Sequence, residues 1–330
     1  MLILAKSILG LTLGFVLSII MGLLIIPVLR KVKAGQTVSK FIHKRHLKKN
    51  GTPTLGGLIF IVPPIITLAI LYLRGSIQIS SNLIIVLFVF LAYGLLGFID
   101  DYIKIKQRNN AGLSVAVKFI CQVIIAGVFY FIYKQNGGST DLEVTLLGID
   151  WHLGWFYAVF ILFLLVGTTN AVNITDGLDG LCGGLAVMAF LAYGVISWGS
   201  EWIPGYESMA IFSFVLVGSL LGFLLFNSHP ARVFMGDTGS LALGGALASI
   251  AILSHHEVSL AIIGAVFVIE TLSSFIQIVS IRKFNKKVFL KAPIHHHFEE
   301  LGWSESDIVK IFWVAGFLFA MFGVVYGVWL

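Results

Sequence analysis

The stretch NAVNITDGLDGLCGG, residues 170–184, connects two long apolar segments near the middle of the chain. It contains Asp176 and Asp179, each followed by a glycine, and two asparagines, Asn170 and Asn173, just before them. A single Asp-Gly pair between two helices usually forms a polar turn and nothing more. Carboxylates beside a membrane span are costly, however, unless they face water, a metal ion or a charged partner. The stretch is either a turn or part of a site, and the rest of the chain decides which.

The composition predicts a polytopic membrane protein. Of the 330 residues, 58% are hydrophobic and only 12% are charged, whereas soluble domains have about 25% charged residues. The net charge of +6 does not indicate nucleic-acid binding here, because the surplus cations of membrane proteins usually lie in cytoplasmic loops.

Ten apolar segments approach the length of about 20 residues that a membrane-spanning helix needs. We therefore predict an all-α protein with about ten transmembrane helices and a single domain, residues 1–330. The predicted segments are 7–29, 55–73, 82–99, 114–133, 153–171, 180–198, 208–226, 240–254, 258–281 and 308–330.

The distribution of basic residues predicts the orientation of these segments. Eighteen of the 22 Lys and Arg residues follow odd-numbered segments, and three lie on the opposite side. Cytoplasmic loops carry this kind of excess, so we predict cytoplasmic odd-numbered loops and extracytoplasmic termini. The segment 134–152 then lies outside. Its Asn-Gly-Gly turn and the alternation that follows predict a short extracytoplasmic hairpin near residues 137–150.

The polar clusters all follow odd-numbered segments and should therefore meet at the cytoplasmic face. Each cluster also has an ordinary interpretation. Asp100 and Asp101 would then be a solvated helix end, Asp237 an N-terminal cap of the eighth helix, and the three histidines a histidine-rich loop or a zinc site. The lysines within 44–49 would be a basic edge that contacts lipid headgroups. Carboxylates are unfavourable at a helix C-terminus, where the helix dipole is negative. Lys104 or a divalent cation should therefore compensate the charge of Asp100 and Asp101. The clusters are Asp100 and Asp101, Asp176 and Asp179, Asp237, and His295, His296 and His297.

Taken together, the clusters indicate a specific chemistry. Carboxylate and amide oxygens suit a hard cation such as Mg²⁺, and cationic side chains suit phosphate oxygens. These are the components of phosphoryl transfer, so we predict a Mg²⁺-dependent enzyme that moves a phosphate-containing group onto a lipid carrier. The alternative is a transporter or channel, whose ionisable groups would lie near the bilayer midplane, often in inverted repeats. No repeat is visible in the sequence.

Five motifs occur in an order that resembles the polyprenyl-phosphate N-acetylhexosamine-1-phosphate transferases. The HHHFE run is typical of the branch that uses a muramoyl-pentapeptide donor. A sister transferase that uses UDP-N-acetylglucosamine is the alternative. The motifs are GTPTLGG (51–57), FIDDYIK (98–104), NAVNITDGLDGL (170–181), NSHPARVFMGDTGS (227–240) and APIHHHFE (292–299).

The resemblance implies transfer of phospho-N-acetylmuramoyl-pentapeptide from UDP-N-acetylmuramoyl-pentapeptide (UDP-MurNAc-pentapeptide) to undecaprenyl phosphate. The products would be UMP and lipid I, a membrane intermediate of peptidoglycan synthesis. It also implies a multi-pass homodimer in the bacterial inner (plasma) membrane, in contact with the bilayer, with no nucleic-acid partner.

The resemblance further implies roles for individual residues. Asp237 is expected to bind Mg²⁺, with Asp176 as a second ligand, and Asp100 and Asp101 are expected near the lipid phosphate. Asp100, Asp101, Asp237 and His295 are the expected catalytic residues. Expected substrate-binding residues are Lys49, Thr54, Lys104, Lys118, Asn173, Asp176, Asp179, Asn227, Phe234, His296 and His297.

Two mechanisms agree with these residues. In a single displacement, Asp100 acts as a base or positions the lipid phosphate, which attacks the donor directly. In a double displacement, an aspartate attacks first. Separately, Glu270 and Gln277 lie two helical turns apart in the ninth segment. They indicate either an interhelical hydrogen bond or a bent or broken helix that opens a groove for the isoprenoid tail.

Overall fold

The predicted all-α membrane architecture is confirmed. A computed structural model describes residues 2–32, 34, 49, 51–108, 111–144, 148–199 and 205–329. Within these ranges nine helices are long and apolar enough to cross a membrane. A further apolar helix, Leu58–Leu73, has 16 residues. Together they correspond to the ten predicted segments. Residues 44–48 of the predicted basic edge lie outside the described residues, and the orientation across the membrane stays a prediction.

Twelve helices and one hairpin make up the described part of the chain. The helices are α1 (Ile3–Lys31), α2 (Leu58–Leu73), α3 (Ser81–Gln107), α4 (Val115–Gln135), α5 (Phe156–Thr175), α6 (Leu181–Gly199), α7 (Tyr206–Asn227), α8 (Gly236–Leu253), α9 (Glu257–Ile263), α10 (Ala265–Phe284), α11 (Ile294–Glu300) and α12 (Glu305–Trp329), and the strands are β1 (Asp141–Val144) and β2 (Ile149–His152).

Helices α7 and α8 form the centre of the bundle, because nearly all of their residues are buried. Helix α8 packs against α3 and α5, and α7 packs against α1 and α6. Helix α1 meets α7 along small residues spaced four apart: Gly10, Gly14, Ser18 and Gly22 are all buried. Such residues let the backbones of membrane helices approach closely. The contact is tightest at Gly218 of α7, where an added Cβ would lie 1.9 Å from the Leu11 carbonyl oxygen.

The predicted hairpin is present, but its turn lies elsewhere. Strands β1 and β2 pair antiparallel, with Asp141 opposite His152. The Asn-Gly-Gly sequence instead ends α4: Asn136 is its C-terminal cap, and Gly137 has a φ of 78°. A glycine with positive φ is a common way to terminate a helix. The prediction therefore located the hairpin correctly, but the residues to which it assigned the turn form the end of α4.

The ninth predicted segment is a broken helix. Helix α9 ends at Ile263, and α10 begins at Ala265. Gly264 between them donates its N–H to the Leu260 carbonyl at 2.8 Å, and an added Cβ there would lie 2.8 Å from the same oxygen. Glycine therefore fits the break better than any larger residue. The groove for the isoprenoid tail, which such a broken helix would open, stays a prediction.

Candidate active site at one end of the helix bundle

Helices α3 and α8 cross closely enough to bring their acidic residues together. An added Cβ at Gly97 would lie 2.1 Å from the backbone oxygen of Asp237. Asp101 accepts hydrogen bonds from the Thr238 backbone N–H at 2.9 Å and hydroxyl at 2.7 Å, and from the Asp237 N–H at 3.2 Å. A carboxylate at a helix N-terminus satisfies free N–H groups and the helix dipole. The residue that caps α8 through its side chain is thus Asp101.

The alternative that Asp237 is only the N-terminal cap of the eighth helix is therefore wrong. Helix α8 begins at Gly236, one residue before Asp237, and its cap residue Met235 makes no side-chain capping hydrogen bond. The helix begins four residues earlier than predicted, which leaves the Asp237 side chain free for other contacts.

Asp100 is buried next to a lysine and a backbone N–H. Helix α3 continues to Gln107, so Asp100 lies inside its last two turns. Its Oδ2 is 2.5 Å from Lys104 Nζ, and its Oδ1 accepts the Leu113 N–H at 2.7 Å. Gly112 has a φ of 55°, and an added Cβ would lie 2.6 Å from Asp100 Oδ1. Lys104 therefore provides the compensating charge that the sequence predicted.

Asp237 connects four helices through its two oxygens. Its Oδ2 lies 2.5 Å from Lys118 Nζ of α4 and 3.1 Å from Lys104 Nζ of α3. Its Oδ1 accepts a hydrogen bond from Asn173 Nδ2 of α5 at 2.9 Å, and the same amide group reaches Ser240 Oγ at 2.8 Å. Two ammonium groups and an amide thus converge on one carboxylate, which concentrates donors suited to anionic oxygens.

Three carboxylates could hold a cation. Asp100, Asp101 and Asp237 each offer an oxygen, and these atoms lie within 4.8 Å of one another. A set of carboxylate oxygens fits a hard cation such as Mg²⁺. In the described part of the chain, Asp176 is not a member of this group. Burial raises the pKa of the Asp176 carboxyl to about 7, and the nearby charges of Asp237 and Asp101 act in the same direction.

A second charged network lies beside Asp179, which is buried. Lys49 Nζ is 2.7 Å from Asp179 Oδ1 and 2.5 Å from Glu305 Oε1. His229 Nδ1 and the Ala231 N–H each lie 3.0 Å from Asp179 Oδ2. These residues line an open cavity of about 470 Å³, which is large enough for part of a small-molecule ligand.

The turn that carries Asp176 and Asp179, residues 176–180, is held at Gly180 from two sides. The Gly180 N–H donates to Asn227 Oδ1 at 3.1 Å, and Trp313 Nε1 donates to the Gly180 carbonyl at 3.2 Å. Asn227 is buried, and its Nδ2 also donates to the Val233 carbonyl at 3.0 Å. Both ends of its amide are thus engaged in joining two loops. We call residues 176–180 the 176–180 loop.

Thr54 and Phe234 lie where the segment before α2 meets the segment before α8. The Phe234 N–H donates to the Pro53 carbonyl, and the Phe234 carbonyl accepts from Gly56 N–H, both at 2.8 Å. Thr54 is buried, and its Oγ1 would lie 2.6 Å from a Cβ added at Gly236. Thr54 is therefore next to the Asp101 cluster, and the half-buried Phe234 ring lies three residues before Asp237.

The three histidines lie on α11 and have different surroundings. His295 is buried, and its Nδ1 is 2.9 Å from Glu270 Oε2 of α10. His296 Nδ1 is 2.6 Å from Glu299 Oε2, and burial lowers the pKa of His296 against the opposing effect of that carboxylate. His297 Nδ1 accepts the Leu290 N–H at 3.1 Å. His295 thus faces the interior, whereas His297 supports the loop before α11.

The structure joins most of the predicted residues into two adjoining groups. The first surrounds Asp237, and the second surrounds Asp179. Sequence reasoning did not select Glu305 or His229, although His229 belongs to one of the quoted motifs. Glu305 has no local signal, because its contact with Lys49 spans 256 residues of sequence.

Comparisons with known proteins agree over nearly the whole chain. A family model described as "Glycosyl transferase family 4" matches residues 83–255. The chain is 48% identical over 317 residues to the phospho-N-acetylmuramoyl-pentapeptide-transferase of Bacillus subtilis (strain 168), with 96% of each chain covered. It is 50% identical over 311 residues, 94% of each chain, to the protein of that name from Oceanobacillus iheyensis. The corresponding figures for Geobacillus thermodenitrificans are 48%, 325 residues and 98%.

Proposed function

Because the chain belongs to the phospho-N-acetylmuramoyl-pentapeptide-transferases of glycosyl transferase family 4, we propose that it catalyses their reaction. It transfers phospho-N-acetylmuramoyl-pentapeptide from UDP-MurNAc-pentapeptide to undecaprenyl phosphate, and the products are UMP and lipid I. The observation that carries this proposal is the convergence of Asp100, Asp101 and Asp237 with two lysines at one end of a membrane bundle.

The cation-binding group is the first element of the proposed mechanism. Asp237, Asp100 and Asp101 would hold Mg²⁺, and Asp176, which follows α5, is a further candidate ligand. When bound, the ion supplies Lewis-acid stabilisation of the negative charge on the pyrophosphate and the departing UMP. The donor chemistry of the cluster supports this assignment, because all its candidate ligands are carboxylate oxygens.

Lys104 and Lys118 are the second element. Both Nζ atoms lie within 3.1 Å of Asp237 Oδ2, so a phosphate oxygen beside Asp237 comes within reach of both ammonium groups. Phosphoryl transfer depends mostly on such positioning and charge neutralisation. Asn173 holds the opposite oxygen of Asp237 at 2.9 Å and thereby fixes the orientation of this carboxylate.

Asp100 is better suited to positioning than to removing a proton. Both of its oxygens already accept, one from Leu113 N–H and one from Lys104. A phosphate monoester has a second pKa of about 6, so the acceptor is mostly dianionic at neutral pH and needs little help from a base. We therefore favour a single displacement, in which Asp100 orients Lys104 toward the lipid phosphate.

The sugar nucleotide binds on the other side of the site. The cavity beside Lys49, Asp179 and His229 adjoins the 176–180 loop, and the Phe234 ring is available to stack on uracil. His296 and His297 complete this side. Membership of this transferase family leads us to expect a homodimer in the bacterial plasma membrane, with the site at the cytoplasmic face.

The experiment compares two sugar nucleotides with purified protein, undecaprenyl phosphate and Mg²⁺. We expect UMP release and a lipid-linked muramoyl-pentapeptide with UDP-MurNAc-pentapeptide, and no product with UDP-N-acetylglucosamine. Chelation with EDTA should stop the reaction, and added Mg²⁺ should restore it. Product from UDP-N-acetylglucosamine alone would instead assign the chain to the sister reaction.

A further inference from the structure

Glu270 and His295 form a buried pair that joins the second half of the broken span to α11. Glu270 is 0% exposed and His295 is 1% exposed. Their hydrogen bond uses Glu270 Oε2 and His295 Nδ1. The neighbouring α10 residues Ile269 and Leu272 are 41% and 50% exposed. Glu270 therefore points into the protein from a helix whose other face is apolar and exposed.

Each member of the pair has a second polar atom without a partner. Among the residues that the structure describes, Glu270 Oε1 and His295 Nε2 are buried and make no hydrogen bond. A buried polar atom that lacks a partner costs about 1–3 kcal/mol. Such atoms are rare in native proteins and call for an explanation. A ligand that supplies the missing partner is one such explanation.

His295 Nε2 faces the 176–180 loop. An added Cβ at Gly177 would lie 2.4 Å from His295 Nε2 and 2.8 Å from Cε1. The imidazole ring therefore occupies the space that a side chain at position 177 would need. Asp176 and Asp179 flank this glycine within two residues, so the ring lies directly against the donor-binding side of the site.

The Glu270 contact determines what Nε2 can do. A carboxylate oxygen accepts hydrogen bonds, and with Glu270 as the acceptor Nδ1 is the donor of this contact. The partner of one ring nitrogen fixes both the tautomer and the orientation of the ring, as it does in other functional histidines. Nε2 is then the atom that remains for a partner on the loop side.

We propose that Glu270 is a positioning residue that acts through His295 on the sugar-nucleotide donor. It holds the imidazole so that Nε2 stands under the 176–180 loop and forms a hydrogen bond with the bound donor. Glu270 itself touches no substrate. This inference rests on the proposed function, because it assumes that the 176–180 loop binds the donor.

The test is a double-mutant cycle with a separate KM for each substrate. The variants are Glu270→Ala, His295→Ala and the double variant. Ser273→Ala is the matched control, since Ser273 is buried on the same helix and, among the residues that the structure describes, its hydroxyl bonds to the Glu270 carbonyl alone. If Glu270 acts only through His295, the double variant loses no more activity than His295→Ala.

We expect Glu270→Ala to lower kcat/KM for UDP-MurNAc-pentapeptide by at least about tenfold, while KM for undecaprenyl phosphate stays within about twofold. Glu270→Gln should retain most activity, because its amide oxygen can still accept the Nδ1 proton. Ser273→Ala should behave like the unaltered protein. Isothermal calorimetry with the donor alone should show the same order of affinities without turnover.

Additive losses in the cycle would overturn the inference, and so would a rise in KM for undecaprenyl phosphate alone. Thermal unfolding identifies the case in which Glu270→Ala does not fold. The same cycle with Glu270→Leu, which fills the space but cannot accept the Nδ1 proton, then carries the test. Failure of the unaltered protein to release UMP from the donor would refute the proposed function. Turnover by the unaltered protein with an additive cycle would refute only the role of Glu270.

Discussion

Asp101 of α3 accepts two hydrogen bonds from Thr238 of α8, one from the backbone N–H at 2.9 Å and one from the hydroxyl at 2.7 Å. Both residues are buried, at 2% and 1% exposure. The carboxylate therefore terminates a central helix that belongs to a different part of the chain. Since Asp237 is the residue before Thr238, this cap also fixes the position of the proposed cation ligand.

Asp101→Ala should therefore reduce stability and activity together. The change leaves buried N–H groups without an acceptor, which costs about 1–3 kcal/mol each, and removes a favourable charge at the start of α8. Asp101→Asn keeps one oxygen that can accept from Thr238, so its unfolding midpoint should fall less. Thr238→Ala, which removes only the hydroxyl contact, should be milder still. Thermal unfolding in detergent measures this order, and equal midpoints for the alanine and asparagine variants at position 101 would contradict the capping role.

Asp237→Asn should abolish turnover without unfolding the protein. The substitution keeps the size of the side chain but removes the charge that faces Lys104 and Lys118. We expect a loss of at least about 100-fold in kcat, as for the removal of other charge-stabilising groups. UMP release across a Mg²⁺ titration is the measurement. Asp150→Asn, on an exposed strand, is the matched control. Near-normal turnover and Mg²⁺ dependence would show that Asp237 is not a cation ligand.

The places of the apolar helices could be predicted because apolar length is a local property of the sequence. The sequence indicates the broken helix only as one of two options, through Glu270 and Gln277. Gly264 itself does not predict the break, since a lone glycine within an apolar segment is compatible with a continuous helix. The hairpin turn was misplaced for a related reason. Asn-Gly-Gly suits both a turn and a helix end, and the pairing of β1 with β2 decides between them.

The acidic residues of the site could be predicted as a set, but their individual contacts could not. Each cluster follows an apolar segment of the same parity, which places it at one end of the bundle. These contacts depend on how closely α3 approaches α8, and Gly97 sets that distance. At this distance Asp101 caps α8, whereas Asp237 pairs with Lys118. Glu305 was missed because nothing around it in the sequence distinguishes it from a surface residue.

Trp313→Phe should weaken donor binding more than it affects the chemical step. The indole N–H donates to the Gly180 carbonyl, and phenylalanine preserves most of the packing but lacks this donor. We expect KM for UDP-MurNAc-pentapeptide to rise by about three- to tenfold with kcat nearly unchanged. Trp155→Phe, at the opposite end of the bundle and 68% exposed, is the control. A kcat effect without a KM effect would argue against support of the 176–180 loop.

A single displacement predicts no reaction of the donor with the protein alone. With stoichiometric protein, UDP-MurNAc-pentapeptide and Mg²⁺ but no undecaprenyl phosphate, a quenched single-turnover experiment should show no burst of UMP. The physical reason is that the acceptor phosphate is itself the nucleophile, and both oxygens of Asp100 are already engaged. A stoichiometric burst, with the sugar phosphate trapped on the protein, would establish the double displacement instead.

The contact between α1 and α7 should tolerate no added atom at Gly218. A Cβ at this position would lie 1.9 Å from the Leu11 carbonyl oxygen and 2.7 Å from its carbonyl carbon. Because both are backbone atoms, neither helix can relieve the clash by a rotamer change, and overpacking costs about 1–3 kcal/mol or more. Gly218→Ala should therefore lower the unfolding midpoint measured by intrinsic fluorescence in detergent. Gly127→Ala is the matched control, since its added Cβ would meet no described atom within 4 Å beyond the backbone of its own helix and alanine favours the helix by about 0.8–1 kcal/mol. If both variants unfold at the same temperature, close backbone approach does not hold α1 against the core.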